Sequence, residues 1–296
     1  MLILNKTAGV FSKPSKRNMY EFLRSFHFHP GKRFLHKLVL GIETSCDDTA
    51  AAVVDETGNV LGEAIHSQTE VHLKTGGIIP PVAQQLHREN IQRIVQEALS
   101  ASKVSPSELS AIATTIKPGL ALSLGVGLSF SLQLVDQLKK PFIPIHHMEA
   151  HALTIRLTNK VEFPFLVLLI SGGHCLLALV RGVSDFLLLG KSLDIAPGDM
   201  LDKVVSGGVA SNLHIRKALE IVTDATQCTL LCPPPRLCTD NGVMIAWNGV
   251  ERLRAGLGIL HSTEGIRYEP KCPLGADISK EVGEAAVKVP RLKMKI

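Results

Sequence analysis

The feature that most constrains the fold is a strand-and-turn pattern that occurs twice along the chain. In each copy, three short apolar runs are separated by turns that contain Gly, Asp or Ser. The runs cover residues 38–44, 50–54 and 60–66 in the first copy, and 165–170, 175–180 and 186–191 in the second. Apolar runs bounded by such turns are typical of β-hairpins, so each copy predicts three hairpin-connected strands.

Strand and helix periods alternate between the two copies. The spacing of apolar residues predicts helices over 82–101 and 120–138, strands over 111–116 and 141–145, and a short helix at the histidines that follow. Hairpin strands followed by this alternation predict an α/β protein of two lobes with a cleft between them. We place the first lobe at 38–162 and the second at 163–296. Glycine-rich helix starts in the cleft would present backbone N–H groups to an anion.

The second copy is shorter than the first. From the end of the third strand to the next glycine-rich helix start, the first copy uses 49 residues (68–116), whereas the second uses 13 (193–205). A crossover between parallel strands takes about a dozen residues or more, usually a helix, in addition to the strand itself. Only Val204 and Val205 remain for that strand. The second lobe is therefore predicted to lack an internal segment near 204–205.

Most of the positive charge lies at the start of the chain. Residues 1–37 contain eight Lys or Arg and one acidic residue, whereas the rest of the chain has 24 basic and 26 acidic residues. A basic leader that mixes Ser, Phe and Arg is typical of a mitochondrial transit peptide, and predicts the mitochondrial matrix. The alternative is a basic arm that contacts nucleic acid.

The composition excludes some classes of protein. The longest apolar run, 163–170, is too short to cross a bilayer, which takes about 20 residues, so we expect no membrane insertion. The six Cys show neither a CxxC pair nor zinc-ribbon spacing. We interpret them as small buried residues in a reducing compartment, with a strand between Cys228 and Cys232.

A pair of histidines suggests a metal site. His147 and His151 stand four residues apart directly after a predicted strand, so on a helix their imidazoles share one face. Zinc and iron bind imidazole nitrogen, and two His with one carboxylate are a common catalytic set. The alternative is a helix start with solvated histidines.

Six motifs in this chain resemble one known family. They cover 41–49, 74–78, 147–151, 171–174, 206–212 and 238–241. In this order they resemble the TsaD family, the tRNA adenosine threonylcarbamoyltransferases once described as O-sialoglycoprotein endopeptidases. The resemblance spans 41–242, and the basic leader agrees with a mitochondrial member. It implies an actin-like, Hsp70-like ATPase fold, a homodimer, and one iron or zinc ion per subunit.

The resemblance also implies roles for individual residues. His147, His151 and Asp240 match the metal ligands, although Asp240 could instead be the N-cap of the helix that follows. Asp47 and Asp48 match an acidic catalytic pair, with a simple hairpin turn as the alternative. The residues that match substrate-binding positions are Leu169, Ile170, Ser171, Gly172, Gly173, Asp202 and Asn212. For the Gly-Gly pair, a hairpin turn is again the other interpretation.

The implied reaction transfers the threonylcarbamoyl group from threonylcarbamoyl-AMP to N6 of the adenosine next to the anticodon in mitochondrial tRNAs. Two departures from the family pattern bear on it. Lys117 replaces a glycine, which would cost about 1 kcal/mol or more if that position needs a positive φ. The segment missing near 204–205 would expose apolar faces of the second lobe and impair activity. The alternatives are an inactive binding or dimerisation partner and a metal-dependent glycoprotease.

Overall fold

The computed structural model describes residues 36–170, 175–192 and 213–286. The first sheet has five strands in the order β3-β2-β1-β4-β5. These strands are β1 (Leu38–Glu43), β2 (Asp48–Asp55), β3 (Val60–Ser67), β4 (Ala111–Lys117) and β5 (Phe142–His146). Strands β1 to β3 pair antiparallel, whereas β4 and β5 run parallel to β1. All five predicted strands of this lobe are confirmed.

Helices cover both faces of the first sheet. The helices of this half of the chain are α1 (Thr69–Thr75), α2 (Pro80–Ser102), α3 (Ala121–Leu138), α4 (His147–Leu153) and α5 (Ile155–Thr158). Helix α2 begins with Pro at its first positions and ends at Lys103 in the left-handed conformation. Strand β1 is buried along its whole length, which a central strand with helices on both faces requires.

The second sheet has four strands in the order β6-β7-β8-β9. The elements of this half are β6 (Phe165–Ile170), β7 (Cys175–Gly182), β8 (Asp185–Lys191), α6 (Leu213–Ala225), α7 (Gly242–Ala255), β9 (Ala276–Asp277) and α8 (Ser279–Glu284). One face packs on a core that includes Val180 and Phe186. On the other face Leu166 is 61% exposed, Leu168 41% and Leu177 39%. The predicted α/β fold with two lobes, the second of them incomplete, is confirmed.

Helix α7 packs on the first sheet, although the predicted boundary between residues 162 and 163 placed it in the second lobe. Its close approach depends on glycine. A Cβ on Gly41 of β1 would lie 2.2 Å from the Ala246 nitrogen, and one on Gly242 would lie 2.3 Å from the carbonyl carbon of Ala51. Because only glycine lets the two backbones approach this closely, these positions fix where α7 begins relative to β1.

Two expectations are corrected by the backbone. The segment 228–232 is not a strand, and Cys228 is exposed. Three prolines follow at 233–235, and proline cannot donate a ladder hydrogen bond. Lys117 ends β4 and is not among the described non-glycine residues with positive φ, so it does not carry the expected backbone strain.

Residues 256–278 run between the two sheets. Phe142 and Leu260 exchange backbone hydrogen bonds of 2.8 Å at the edge of the first sheet, and the Ile278 nitrogen donates to the Leu188 carbonyl at 3.0 Å in the second. Helix α3 is long and apolar enough to cross a membrane by length and composition, and half of it is buried. It packs against β4 and α2, as a core helix does.

Candidate metal centre

The two histidines singled out in the sequence lie where β5 passes into α4. Strand β5 ends at His146, and α4 begins at His147. One turn later His151 lies on the same face, with its Nε2 3.2 Å from the Nε2 of His147. The two rings meet edge-on with their centroids 4.6 Å apart. The structure thus brings both imidazoles to one point, as their spacing predicted.

Asp240, 89 positions after His151 in the chain, completes the cluster. Its Oδ1 lies 3.0 Å from the Nε2 of His151 and 3.3 Å from the Nε2 of His147. Helix α7 is capped by the neighbouring Asn241, whose side-chain oxygen accepts a hydrogen bond from the Met244 nitrogen at 2.8 Å. The alternative role of Asp240 as N-cap is therefore wrong, because Asn241 caps the helix and leaves the Asp240 carboxylate with the histidines.

The three donor atoms fit a divalent metal ion. A zinc or iron ion about 2.0–2.2 Å from each nitrogen and oxygen would place neighbouring ligand atoms roughly 3 Å apart. The separations here are 3.0, 3.2 and 3.3 Å. The side chains of His147, His151 and Asp240 are 13%, 16% and 21% exposed, so solvent still reaches the cluster.

Glu43 is a site residue that sequence reasoning missed. It ends β1, is fully buried, and places Oε2 3.2 Å from the Nδ1 of His147. The only signal in the sequence was an acidic residue at the end of an otherwise apolar strand. Carboxylates commonly orient metal-ligating histidines through the second ring nitrogen.

The charges of the cluster shift one another. Burial alone would raise the pKa of Asp240, but the charges and hydrogen bonds of His147 and His151 hold it below its ordinary value. Burial alone would lower the pKa of His147, but Asp240 and Glu43 raise it well above its ordinary value. Glu43 likewise has a lowered pKa despite its burial, through the charge of His147 and hydrogen bonds from His147 and Ser45. The cluster thus pairs ionised carboxylates with a protonated imidazole. A bound metal cation would replace that positive charge.

The acidic pair lies beside this cluster, at the turn from β1 to β2. The Asp47 carbonyl accepts a hydrogen bond of 3.1 Å from the Gln68 nitrogen, whereas Asp48 already belongs to β2. Burial, together with the charges of Asp47, Asp240 and Glu43, raises the pKa of Asp48 to about 6, against a hydrogen bond from Ser67 that lowers it. The pKa of Asp48 thus lies near neutral pH, in part because of the negative charges of Asp240 and Glu43.

The predicted substrate-binding residues are only partly described. Leu169 and Ile170 end β6, and Leu169 packs against the core of the second lobe together with Met148 of α4. Ser171, Gly172, Gly173, Asp202 and Asn212 lie outside the described residues. Any contact that Leu169 makes with a substrate would therefore come from its backbone.

Glu149 does not accompany the two histidines. It is buried, and its Oε2 accepts a hydrogen bond of 2.5 Å from Arg252 of α7. Burial raises the pKa of Glu149 in spite of the arginine. A metalloprotease needs a carboxylate base beside the metal-bound water. Held by Arg252, Glu149 is not free for that role, which disfavours the glycoprotease alternative.

Comparison with known proteins agrees with these features. A family profile described as "TsaD: tRNA N6-adenosine threonylcarbamoyltransferase" matches residues 59–206 and 204–247. The chain is 64% identical to the human protein named "tRNA N6-adenosine threonylcarbamoyltransferase, mitochondrial" over 414 residues, which cover 100% of both chains. The mouse protein of the same name is 60% identical over 412 residues, covering 99% of this chain and 100% of the mouse protein. Among solved structures, YeaZ from Pseudomonas aeruginosa matches with a TM-score of 0.46 and 13% identity over 79% of this chain and 99% of YeaZ, which is too weak to carry an argument.

The matches also locate the missing segment. The two matched stretches of the profile meet at 204–206, where the sequence predicted the gap. The alignment with the human protein spans 414 residues, whereas this chain has 296. The chain therefore belongs to the TsaD family of tRNA N6-adenosine threonylcarbamoyltransferases, as a member that lacks an internal segment.

Proposed function

We propose that this chain transfers the threonylcarbamoyl group from threonylcarbamoyl-AMP to N6 of the adenosine next to the anticodon in mitochondrial tRNAs, with an activity that the internal deletion reduces. The observation that carries the proposal is the convergence of His147, His151 and Asp240, with donor atoms 3.0–3.3 Å apart. The names of the human and mouse relatives support tRNA modification and a mitochondrial location.

In this proposal His147, His151 and Asp240 hold one iron or zinc ion per subunit. Two imidazoles and one carboxylate suit either metal and leave positions open for other ligands. A bound divalent ion would supply Lewis-acid polarisation of a carbonyl or phosphate oxygen. The role of the chain itself is to keep the three donors fixed at the mouth of the cleft.

Asp48 is the proposed acceptor of the proton released in the transfer. The N6 amine forms a bond to the carbamoyl carbon, the bond from that carbon to the phosphate oxygen breaks, and AMP leaves with the bonding electrons. The amine must then lose a proton. A carboxylate whose pKa lies near 6 can accept it and release it again near neutral pH. We propose that Asp47 assists by its charge, which helps to raise the pKa of Asp48.

The substrate loop and the deletion explain why we expect reduced activity. We propose that the backbone of Leu169, Ile170, Ser171, Gly172 and Gly173 binds the adenylate phosphate, with Asp202 and Asn212 on the nucleotide. Asp202 and Asn212 flank the position at which the two profile matches meet. Loss of the adjoining strand and helices also leaves one face of the second sheet apolar and exposed.

The remaining parts of the proposal concern location and assembly. Residues 1–37 act as a transit peptide that directs the chain to the mitochondrial matrix, where 38–162 and 163–296 supply the two lobes, except that α7 returns to the first. The active form is a homodimer without membrane insertion. A second candidate function is an inactive partner that binds full-length subunits. This second candidate is retained because the first sheet has its five strands whereas the second sheet is reduced.

One experiment separates these functions. The purified chain is assayed with threonylcarbamoyl-AMP and mitochondrial tRNA beside the full-length human relative, and its bound metal is measured. We expect about one ion per chain, lost in His147→Ala and Asp240→Ala, with turnover well below that of the human protein.

His261→Ala, which replaces an exposed histidine outside the cluster, is the matched control. This variant should keep its metal. Turnover equal to that of the human protein would contradict impairment. Metal binding without turnover would favour the inactive partner. A chain that binds no metal would contradict the proposed centre.

A further inference from the structure

We propose that Glu43 and Thr115 position His147 as a metal ligand. This inference rests on the proposed metal centre and goes beyond its three ligands. Both residues are fully buried, on neighbouring strands of the first sheet. Glu43 faces Nδ1 of the ring, whereas Asp240 faces Nε2, and Thr115 in turn holds the Glu43 carboxylate.

The carboxylate of Glu43 uses both oxygens. Its Oε1 accepts the Ser45 backbone N–H at 2.5 Å, while Oε2 accepts the Thr115 hydroxyl at 2.5 Å and faces the Nδ1 of His147 at 3.2 Å. An ionised carboxylate can only accept hydrogen bonds, so the proton of a neutral His147 lies on Nδ1. The lone pair of Nε2 then faces His151 and Asp240, where a metal would bind.

The backbone explains why these two residues meet. In the parallel pairing of β1 with β4, Ile42 stands opposite Thr114, which places Thr115 beside Glu43 at the carboxyl ends of the strands. Successive side chains of a strand point to opposite faces. Thr114 accordingly points away from the site and donates to the Ser131 hydroxyl at 2.6 Å.

Glu43 also breaks the pattern of its strand. Val39, which shares the face of Glu43 on β1, is fully buried and apolar, and a charged residue in the same setting is costly unless it is paired. Structural needs alone would be met by an apolar side chain there. A carboxylate with three donors aimed at it is instead the partner that a metal-ligating histidine requires.

The test measures metal affinity rather than catalysis. Metal-free full-length chain is titrated with Co²⁺, by calorimetry and by the visible absorption of the bound ion. We expect Glu43→Gln to weaken Co²⁺ binding about 10- to 100-fold and to change the absorption bands, as loss of such outer partners does. Thr115→Val should weaken binding by a smaller factor, and Thr115→Ser should restore it because the hydroxyl returns.

Two controls separate positioning from general damage. Thr114→Val removes a buried hydroxyl from the same strand and should leave Co²⁺ affinity unchanged. Ser45→Ala removes the hydroxyl that lies 3.0 Å from the Nδ1 of His147 but keeps the carboxylate, so its effect should be smaller than that of Glu43→Gln. Thermal melts of each variant check that it folds.

The outcomes distinguish this inference from the metal centre itself. If the parent chain does not bind Co²⁺, or binds it equally well after His147→Ala, the centre and this inference both fail. If the parent binds through His147 but Glu43→Gln keeps the parent's affinity and spectrum, only the positioning role fails. Should Glu43→Gln not fold, Thr115→Val decides, and parental affinity in that variant would overturn the proposal.

Discussion

The two sheets of this protein begin from the same three-strand motif but reach different degrees of burial. In the first sheet Val39 and Leu40, which point to opposite faces of β1, are both fully buried. In the second sheet Phe186 is 2% exposed on one face, whereas Leu166 is 61% exposed on the other. The difference shows that a hairpin motif supplies strands but not their cover, and that the cover depends on the segments that follow each motif.

The comparison also explains why the candidate metal cluster is assembled in spite of the deletion. Asp240 lies beyond the missing segment in sequence, yet α7 directly after it packs on the first sheet through Gly41 and Gly242. His147 and His151 follow β5 of the same sheet. All three side chains are thus anchored to the lobe that has its full set of strands.

The largest expected difference concerns buried leucines in the two lobes. Leu40→Ala should lower the free energy of unfolding by about 3–5 kcal/mol. Leu40 is fully buried in a sheet that helices cover on both faces, so the surrounding residues cannot collapse into the cavity. Leu188→Ala, at a buried site in β8 of the second sheet, should cost about 2 kcal/mol. Urea unfolding monitored by hydrogen exchange in each lobe measures both, and equal losses would contradict the comparison.

The second prediction concerns the glycine contact between α7 and β1. Gly41→Ala would place its new methyl group 2.2 Å from a backbone nitrogen that has no room to move, so we expect a loss of about 2–3 kcal/mol. Gly190→Ala in β8 meets nothing within 4 Å and should change the stability by less than about 0.5 kcal/mol. Urea unfolding tests the pair, and a tolerated Gly41→Ala would mean that α7 does not pack where the structure has it.

The third prediction concerns pH. The pKa of Asp48 is raised from 3.8 to about 6 on folding, so its ionisation disfavours the folded state above pH 6 and has no effect below pH 4. Asp48→Asn should therefore stabilise the protein at pH 7.5, by on the order of 1–2 kcal/mol, and progressively less as the pH falls from 6 to 4. Unfolding measured at pH 7.5 and 4.5 checks this, and a stabilisation that grows towards low pH would contradict it.

The smallest expected change in stability is on the uncovered face of the second sheet. The double variant Leu166→Lys, Leu168→Lys should alter the free energy of unfolding by no more than about 0.5 kcal/mol per site, because both side chains are already exposed. It should reduce the binding of a hydrophobic dye and the tendency to aggregate. Destabilisation by several kcal/mol would show that this face is covered in solution.

Local patterns in the sequence were sufficient for much of the fold. The strands of both copies, the long helices α2 and α3, and the gap near 204–205 follow from the period of apolar residues and from segment lengths. The His147 and His151 pair is equally local, because one helical turn brings them together. The two-residue strand β9 was not predicted and the strand predicted between Cys228 and Cys232 was wrong, since short irregular segments carry no period.

The sequence alone therefore determined which elements form, that a segment is missing, and which histidines share a face. Only the tertiary structure decided that α7 returns to the first sheet, that Asn241 rather than Asp240 caps it, and that Glu43 faces His147 across 104 positions of the chain. The physical reason is that periodicity reports only neighbours within a few residues. Contacts between distant segments depend on how closely two backbones can approach, and here glycines at β1 and α7 set that distance.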